Sequence, residues 1–257
     1  MNKKIIKILK KKNKEKLVCL TAYSKPVAKI LDNYCDIILV GDSLATALYG
    51  MKTTHKVTTT MMINHAKSVK SAVNNSLCIV DMPINSYKNI RIAKFNAKKI
   101  IKDTKCDAVK IENNGKNFQI IKELVKSNIP VMGHIGFTPQ YFKKFKPRGL
   151  RKRDQSRLID DAKKIEKAGA FGIVLECIAA DTARKITDNL KILTIGIGAS
   201  VNCDGQILVT DDMLGLSGFY PKFVKKYQKL DKIIENSVKK YRKEVINKKF
   251  PINKNTY

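Results

Sequence analysis

Five times along the chain a short apolar run breaks off at a polar or ionisable side chain. Asp36-Ile-Ile-Leu-Val40 runs into Gly41-Asp42-Ser43, Leu77-Cys-Ile-Val80 into Asp81, and Ala108-Val-Lys-Ile111 into Glu112. Pro130-Val-Met-Gly133 runs into His134, and Gly172-Ile-Val-Leu175 into Glu176. Runs this short and this rich in β-branched residues are those of strands buried on both faces. Leu17-Val-Cys-Leu-Thr-Ala22, Ile192-Leu-Thr-Ile195 and Ile207-Leu-Val209 add three more.

Helical periodicity fills the gaps. It covers Lys25–Leu31, with Ser24 as cap and Pro26 in the first turn. It continues in Met61–Val73, from about Asn89 to Lys102, near Asn117–Lys126, Gln155–Ala168 closed by Gly169, Asp181–Asn189, and a basic tail from about Lys229 to Asn247. Ile5, Ile6 and Leu9 fit a short amphipathic helix packed on the body. Strict alternation of strand and helix implies parallel strands, because each crossover returns the chain to the same end of the sheet. Eight such units in 257 residues match a (β/α)₈ TIM barrel with a short N-terminal helix, read as a single domain over residues 1–257. A doubly wound sheet is the alternative. In either fold the polar strand ends meet at one rim, where chemistry is housed.

Charge changes this picture little. The chain carries 51 basic and 22 acidic residues, a net +29, which would suit a nucleic-acid or anionic-membrane partner. The lysines recur in every helical segment rather than along one stripe, and the aromatic residues are not interleaved with them. Solvated helix faces are therefore expected, with no nucleic acid and no membrane as partner. No apolar run reaches the roughly 18 residues of a membrane span, and the N-terminus lacks the apolar centre of a signal peptide. The six cysteines form no Cys-x-x-Cys pair, so buried thiols in a reducing cytoplasm are expected.

The candidate chemistry sits at the strand ends. Asp42 and Asp81 follow neighbouring strands, and two converging carboxylates repel unless a cation or proton lies between them. With Glu112 they offer hard oxygen ligands that suit Mg²⁺; helix capping or a salt bridge to a lysine is the structural alternative. Glu176 lies in the apolar setting Val-Leu-Glu-Cys-Ile, where burial would raise its pKa toward that of a useful base; a buried ion pair is the alternative. Lys110 and His134 face the same rim as anion binders or as satisfied interior residues. Gly196-Ile-Gly198 lacks the third glycine of a dinucleotide loop and reads as close packing. His65 falls in a helix and His55 in a loop; neither is given a role. Spacing alone gives a divalent-metal enzyme removing a proton from a small oxo acid.

The strand-end motifs resemble those of the ketopantoate hydroxymethyltransferase family. They include Leu20-Thr-Ala-Tyr23, Val40-Gly-Asp-Ser-Leu44, Asp81-Met-Pro83, Ala108-Val-Lys-Ile-Glu112, Pro130-Val-Met-Gly-His-Ile-Gly136 with Thr138-Pro-Gln140, Val174-Leu-Glu-Cys177, Thr194-Ile-Gly-Ile-Gly-Ala199 and Cys203-Asp-Gly-Gln206. The resemblance implies a barrel of the phosphoenolpyruvate/pyruvate type, assembled as a homo-oligomer, usually a decamer. It implies hydroxymethyl transfer from 5,10-methylenetetrahydrofolate to 3-methyl-2-oxobutanoate through a Mg²⁺-chelated enolate. The products are 2-dehydropantoate and tetrahydrofolate, in the first step of pantothenate biosynthesis. By motif position, Asp42, Asp81 and Glu112 would hold the metal. Asp42, Ser43, Asp81, Lys110 and His134 would hold the oxo acid, and Glu176 would be the catalytic base. The chain departs from the family at Asn113 and Asn114, where two glycines are usual, at Ser24 and Ser200, and in the basic loop Phe142–Arg148.

Overall fold

The structure is a computed structural model describing residues 2–142, 145–218 and 220–257. The basic loop's Lys143 and Lys144 lie outside the described residues. In chain order the elements are α1 (Lys3–Leu9), β1 (Leu17–Thr21), α2 (Lys25–Leu31), β2 (Ile37–Val40), α3 (Leu44–Ala47), α4 (Thr59–Lys70), β3 (Leu77–Asp81) and α5 (Ile90–Thr104). They continue with β4 (Ala108–Glu112), α6 (Phe118–Lys126), β5 (Val131–Gly136), α7 (Lys152–Lys167), β6 (Gly172–Glu176), α8 (Ala180–Asn189), β7 (Leu193–Ile197), β8 (Gly205–Leu208), α9 (Thr210–Leu214) and α10 (Leu230–Ile246). The eight strands pair in sequence order, all parallel, and β1 closes on β8. The closed barrel excludes the doubly wound alternative.

Alternation along each strand sorts the apolar residues into two layers. Ile38, Val40, Cys78, Val80, Val109 and Ile111 pack outward against buried helix residues such as Met62, Ala66, Ala97, Ile100 and Ile121. Ile37, Leu39, Leu77, Ile79, Ala108, Met132, Val174, Leu193 and Ile195 point inward and fill the barrel. Followed up the strands, the inward positions turn polar at the carboxyl ends. They read Leu77, Ile79, Asp81 on β3; Ala108, Lys110, Glu112 on β4; Met132, His134 on β5; and Val174, Glu176 on β6. The barrel is apolar at its base and ionisable at its mouth because one periodic pattern carries both.

At the apolar end, α1 contributes Ile5 and Ile8 to the interior layer. Of the expected face of Ile5, Ile6 and Leu9, Ile5 is buried and the half-buried Leu9 packs against the same layer; Ile6 is exposed, and Ile8 takes its place beside Ile5. The helix is moored by Asn2 Nδ2 donating to Asp107 at 2.8 Å and Lys4 Nζ donating to the Ser76 carbonyl at 2.8 Å.

Several boundaries differ from the periodicity. Ser24 occupies the N-cap of α2 without a side-chain cap bond. Helix α4 begins earlier, at Thr59, where the Thr58 hydroxyl accepts from the Met61 N–H. Helix α7 begins at Lys152, with Asp154 in its first turn accepting from the Gly149 N–H at 2.7 Å. Strand β8 starts at Gly205, where a side chain would collide with Leu17 of β1. The glycine serves close strand approach, and the strand starts two residues before the apolar run at Ile207.

The chain divides into two compact units, 1–210 with the barrel and 211–257 with α10. No residue of α10 is buried. Among the described residues no helix is long and apolar enough to cross a membrane. All six cysteines are free thiols, with Cys177 half-buried and the other five buried.

Candidate active site

Strand register sets the side chains beside one another. Asp81 of β3 pairs with Lys110 of β4, and Glu112 of β4 pairs with His134 of β5. Across the first pair, Lys110 Nζ stands 2.5 Å from Asp81 Oδ1. The other Asp81 oxygen accepts the backbone N–H of Asp42 at 3.0 Å, so the ends of β2 and β3 are locked together. Asp42 and Asp81 thus share one side of the barrel mouth. Gly41 permits the turn; a side chain there would crowd Ser43 Oγ. Ser43 is half-buried, with its hydroxyl 2.8 Å from the Tyr23 hydroxyl. The Tyr23 carbonyl in turn lies 2.7 Å from His65 Nδ1, giving that histidine a structural partner.

The second group is centred on His134, whose ring lies between two carboxylates. Nδ1 is 3.6 Å from Glu112 Oε1 and Nε2 is 3.2 Å from Glu176 Oε2, in neither case with the geometry of a hydrogen bond. Gly136, at φ +100°, lets β5 pass the backbone of Glu176; a Cβ there would run into the Glu176 carbonyl oxygen.

Gln140, which carried no role in the sequence reading, joins the two groups. Its Nε2 donates to Asp42 Oδ2 at 2.8 Å, and its backbone N–H donates to Glu112 Oε2 at 3.0 Å. It sits in a loop, where no periodicity marks it; its one signal is the Thr138-Pro-Gln140 motif.

These groups are crowded and dry. Asp42, Asp81, Glu112, Lys110, His134 and Glu176 are all buried. Burial pushes the Asp42 carboxyl well up, and the Asp81 and Glu112 charges add to this against Lys110 and Gln140. Glu112 is pushed up to about 8 by burial, opposed by Lys110 and the Gln140 N–H. Burial and Lys110 pull His134 down, against the pull of Glu176. Glu176 is raised by burial and partly brought back by His134. For Lys110, burial lowers the ammonium, but the carboxylates of Asp81, Glu112 and Asp42 more than reverse it. Ionised together, three carboxylates beside one buried ammonium would leave an excess of negative charge, which a divalent cation would balance.

The donor set is all oxygen, which fits a hard cation such as Mg²⁺. Among the described residues no three Asp, Glu, His or Cys groups stand close enough to hold an ion between them. A Mg²⁺ held by one or two carboxylates, with water and substrate oxygens completing its shell, does not need three.

Known structures share the architecture. A phosphoenolpyruvate phosphomutase from Streptomyces platensis subsp. rosaceus matches with TM-score 0.63 at 11% identity, over 95% of this chain and 87% of that one. A phosphonopyruvate hydrolase in complex with oxalate and Mg²⁺ matches with TM-score 0.61 at 13% identity, over 80% of each chain. These likenesses define the class by fold alone, a (β/α)₈ barrel.

Sequence narrows the class. Residues 2–253 match the family described as ketopantoate hydroxymethyltransferase. The 3-methyl-2-oxobutanoate hydroxymethyltransferase of Pelagibacter ubique (strain HTCC1062) is 52% identical over 257 residues, covering all of both chains. The enzyme of the same name from Anaplasma marginale (strain St. Maries) is 46% identical over 256 residues, covering 98% of this chain and 92% of the relative. The chain belongs to the ketopantoate hydroxymethyltransferase family and is an enzyme of the transferase class.

Proposed function

We propose that the protein transfers a hydroxymethyl group from 5,10-methylenetetrahydrofolate to 3-methyl-2-oxobutanoate, giving 2-dehydropantoate and tetrahydrofolate, in the first step of pantothenate biosynthesis. The observation that carries this reading is the full-length identity to relatives named for action on that oxo acid. The barrel mouth supports it by supplying an anion-binding ammonium, an oxygen-rich cation pole and a buried carboxyl.

Asp42 and Asp81, with Glu112 beside them, would hold Mg²⁺. When bound there, the ion supplies Lewis acidity to the carboxylate and keto oxygens of the oxo acid. That a phosphonopyruvate hydrolase of the same fold was obtained with oxalate and Mg²⁺ agrees with such a site. Lys110, held in place by Asp81, and the Ser43 hydroxyl bind the oxo acid's oxygens. Glu176 takes the C3 proton, and burial makes it a stronger base than an exposed carboxylate. His134, with its proton affinity lowered, stays neutral beside Glu176 and faces the substrate oxygens. C3 then bonds to the folate methylene carbon, both C–N bonds of that carbon break, water supplies the hydroxyl, and the two folate nitrogens take up one proton from that water and the one removed from C3.

The reading includes a reducing cytoplasm, to which the six free thiols are suited, and self-association into a homo-oligomer. Ile233, Val238 and Tyr241 of α10 leave apolar surface exposed for the latter.

The test is an assay with 3-methyl-2-oxobutanoate, methylenetetrahydrofolate and Mg²⁺. Tetrahydrofolate should form, stop on adding a chelator, and resume with excess Mg²⁺. Turnover of an oxo acid without any folate would instead indicate a lyase or mutase and overturn the transferase reading.

A further inference from the structure

Gln140 has only 2% of its surface exposed, yet it contacts the ends of three strands other than the one it follows. Its Nε2 reaches Asp42 after β2 and also donates to the carbonyl of Met82, just past β3, at 3.0 Å. Its backbone N–H reaches Glu112 at the end of β4. Its Oε1 accepts from the buried Tyr87 hydroxyl.

We propose that Gln140 is a positioning residue for the divalent cation, setting the carboxylates of Asp42 and Glu112 in the arrangement that receives it. The proposal rests on the Mg²⁺ reading above. Asp42 lies beyond β2, outside the ladder that fixes Asp81 and Glu112. Its carboxylate is repelled by both neighbours. A hydrogen bond to one oxygen fixes its direction. Because the donor is a neutral amide, it does so without cancelling the charge that attracts the ion; a lysine in this place would compete with the cation. The amide has one workable orientation. Reversed, its oxygen would face the Asp42 carboxylate and the Met82 carbonyl, both of which only accept. Tyr87 donates to the remaining oxygen and so guards that orientation. The loop after β5 therefore sets the cation pole as well as crossing to α7.

The test uses Mn²⁺ as the probe, titrated by electron paramagnetic resonance on the full-length chain. Gln140→Met keeps the side-chain length and removes the donor. It should weaken Mn²⁺ binding about 10- to 100-fold, the range for loss of a group that orients a metal ligand. The unfolding midpoint in chelator should stay within a few degrees of the wild type. Tyr87→Phe removes only the orienting hydroxyl and should weaken binding by a smaller factor; it carries the test if Gln140→Met does not fold. Wild-type Mn²⁺ affinity in Gln140→Met, alongside a loss in Asp42→Asn, would overturn the proposal. Should the wild type take up no Mn²⁺, the cation reading itself fails. In that case the proposal for Gln140 falls with it.

Discussion

Glu112 is almost wholly enclosed, so its ionised form is penalised, and burial pushes its carboxyl up to about 8 from an ordinary 4.5. Between those values the folded chain keeps a proton that the unfolded chain has lost. Stability of the metal-free protein should therefore fall as pH rises through that window. Glu112→Gln removes the penalty. In chelator, its gain in unfolding midpoint over the wild type is expected to be larger at pH 8 than at pH 5. A gain of the same size at both pH values would contradict the assignment. The neighbours of Glu112 were legible in the sequence for a simple reason. Asp81, Lys110, Glu112, His134 and Glu176 all fall on inward positions of apolar strands, where a polar residue stands out. Gln140 and Tyr87 come from connecting segments with no periodicity to mark them, and only the folded loops bring them to the carboxylates.

At the scale of elements, the strands were more legible than the helix ends. Fully buried parallel strands write themselves as continuous apolar runs, and β3, β4 and β6 match theirs residue for residue. Helix starts depend on caps and first-turn contacts that the apolar period does not record, as at Thr58 and Asp154. The face of α1 differs from its expectation at Ile6, because the helix carries four apolar residues and the barrel interior takes Ile5, Ile8 and Leu9. That choice has a measurable consequence. Ile5→Ala should cost about 2–5 kcal/mol in denaturant unfolding, as for other large-to-small changes in a packed core. Ile6→Ala, on the exposed side, should change stability by no more than about 0.5 kcal/mol. Equal costs at the two positions would refute the observed register.

Across the whole molecule the net charge is +29, whereas the ionisable side chains at the barrel mouth are mostly carboxyls. The buried mouth sets four carboxyl groups, Asp42, Asp81, Glu112 and Glu176, around Lys110, and most other lysines are exposed or half-buried. Such an exterior raises the local concentration of acidic metabolites at low ionic strength, an effect that salt screens. The barrel gathers groups from β2 through β6, far apart in sequence, within a few ångströms of one another. Helix α1 packs into the apolar end, and the ionisable side chains gather at the other. The proposed chemistry belongs to that assembly, since no single strand carries both a cation pole and a base.

The most direct check is proton exchange at C3 of 3-methyl-2-oxobutanoate, followed by NMR in D₂O with Mg²⁺ and without folate. The wild type is expected to exchange the proton and to stop when the metal is chelated. Glu176→Gln is expected to lose exchange by at least about 100-fold, as for removal of a positioned general base, while still binding Mn²⁺. Exchange at the wild-type rate in Glu176→Gln would show that another group takes the proton and would contradict the account.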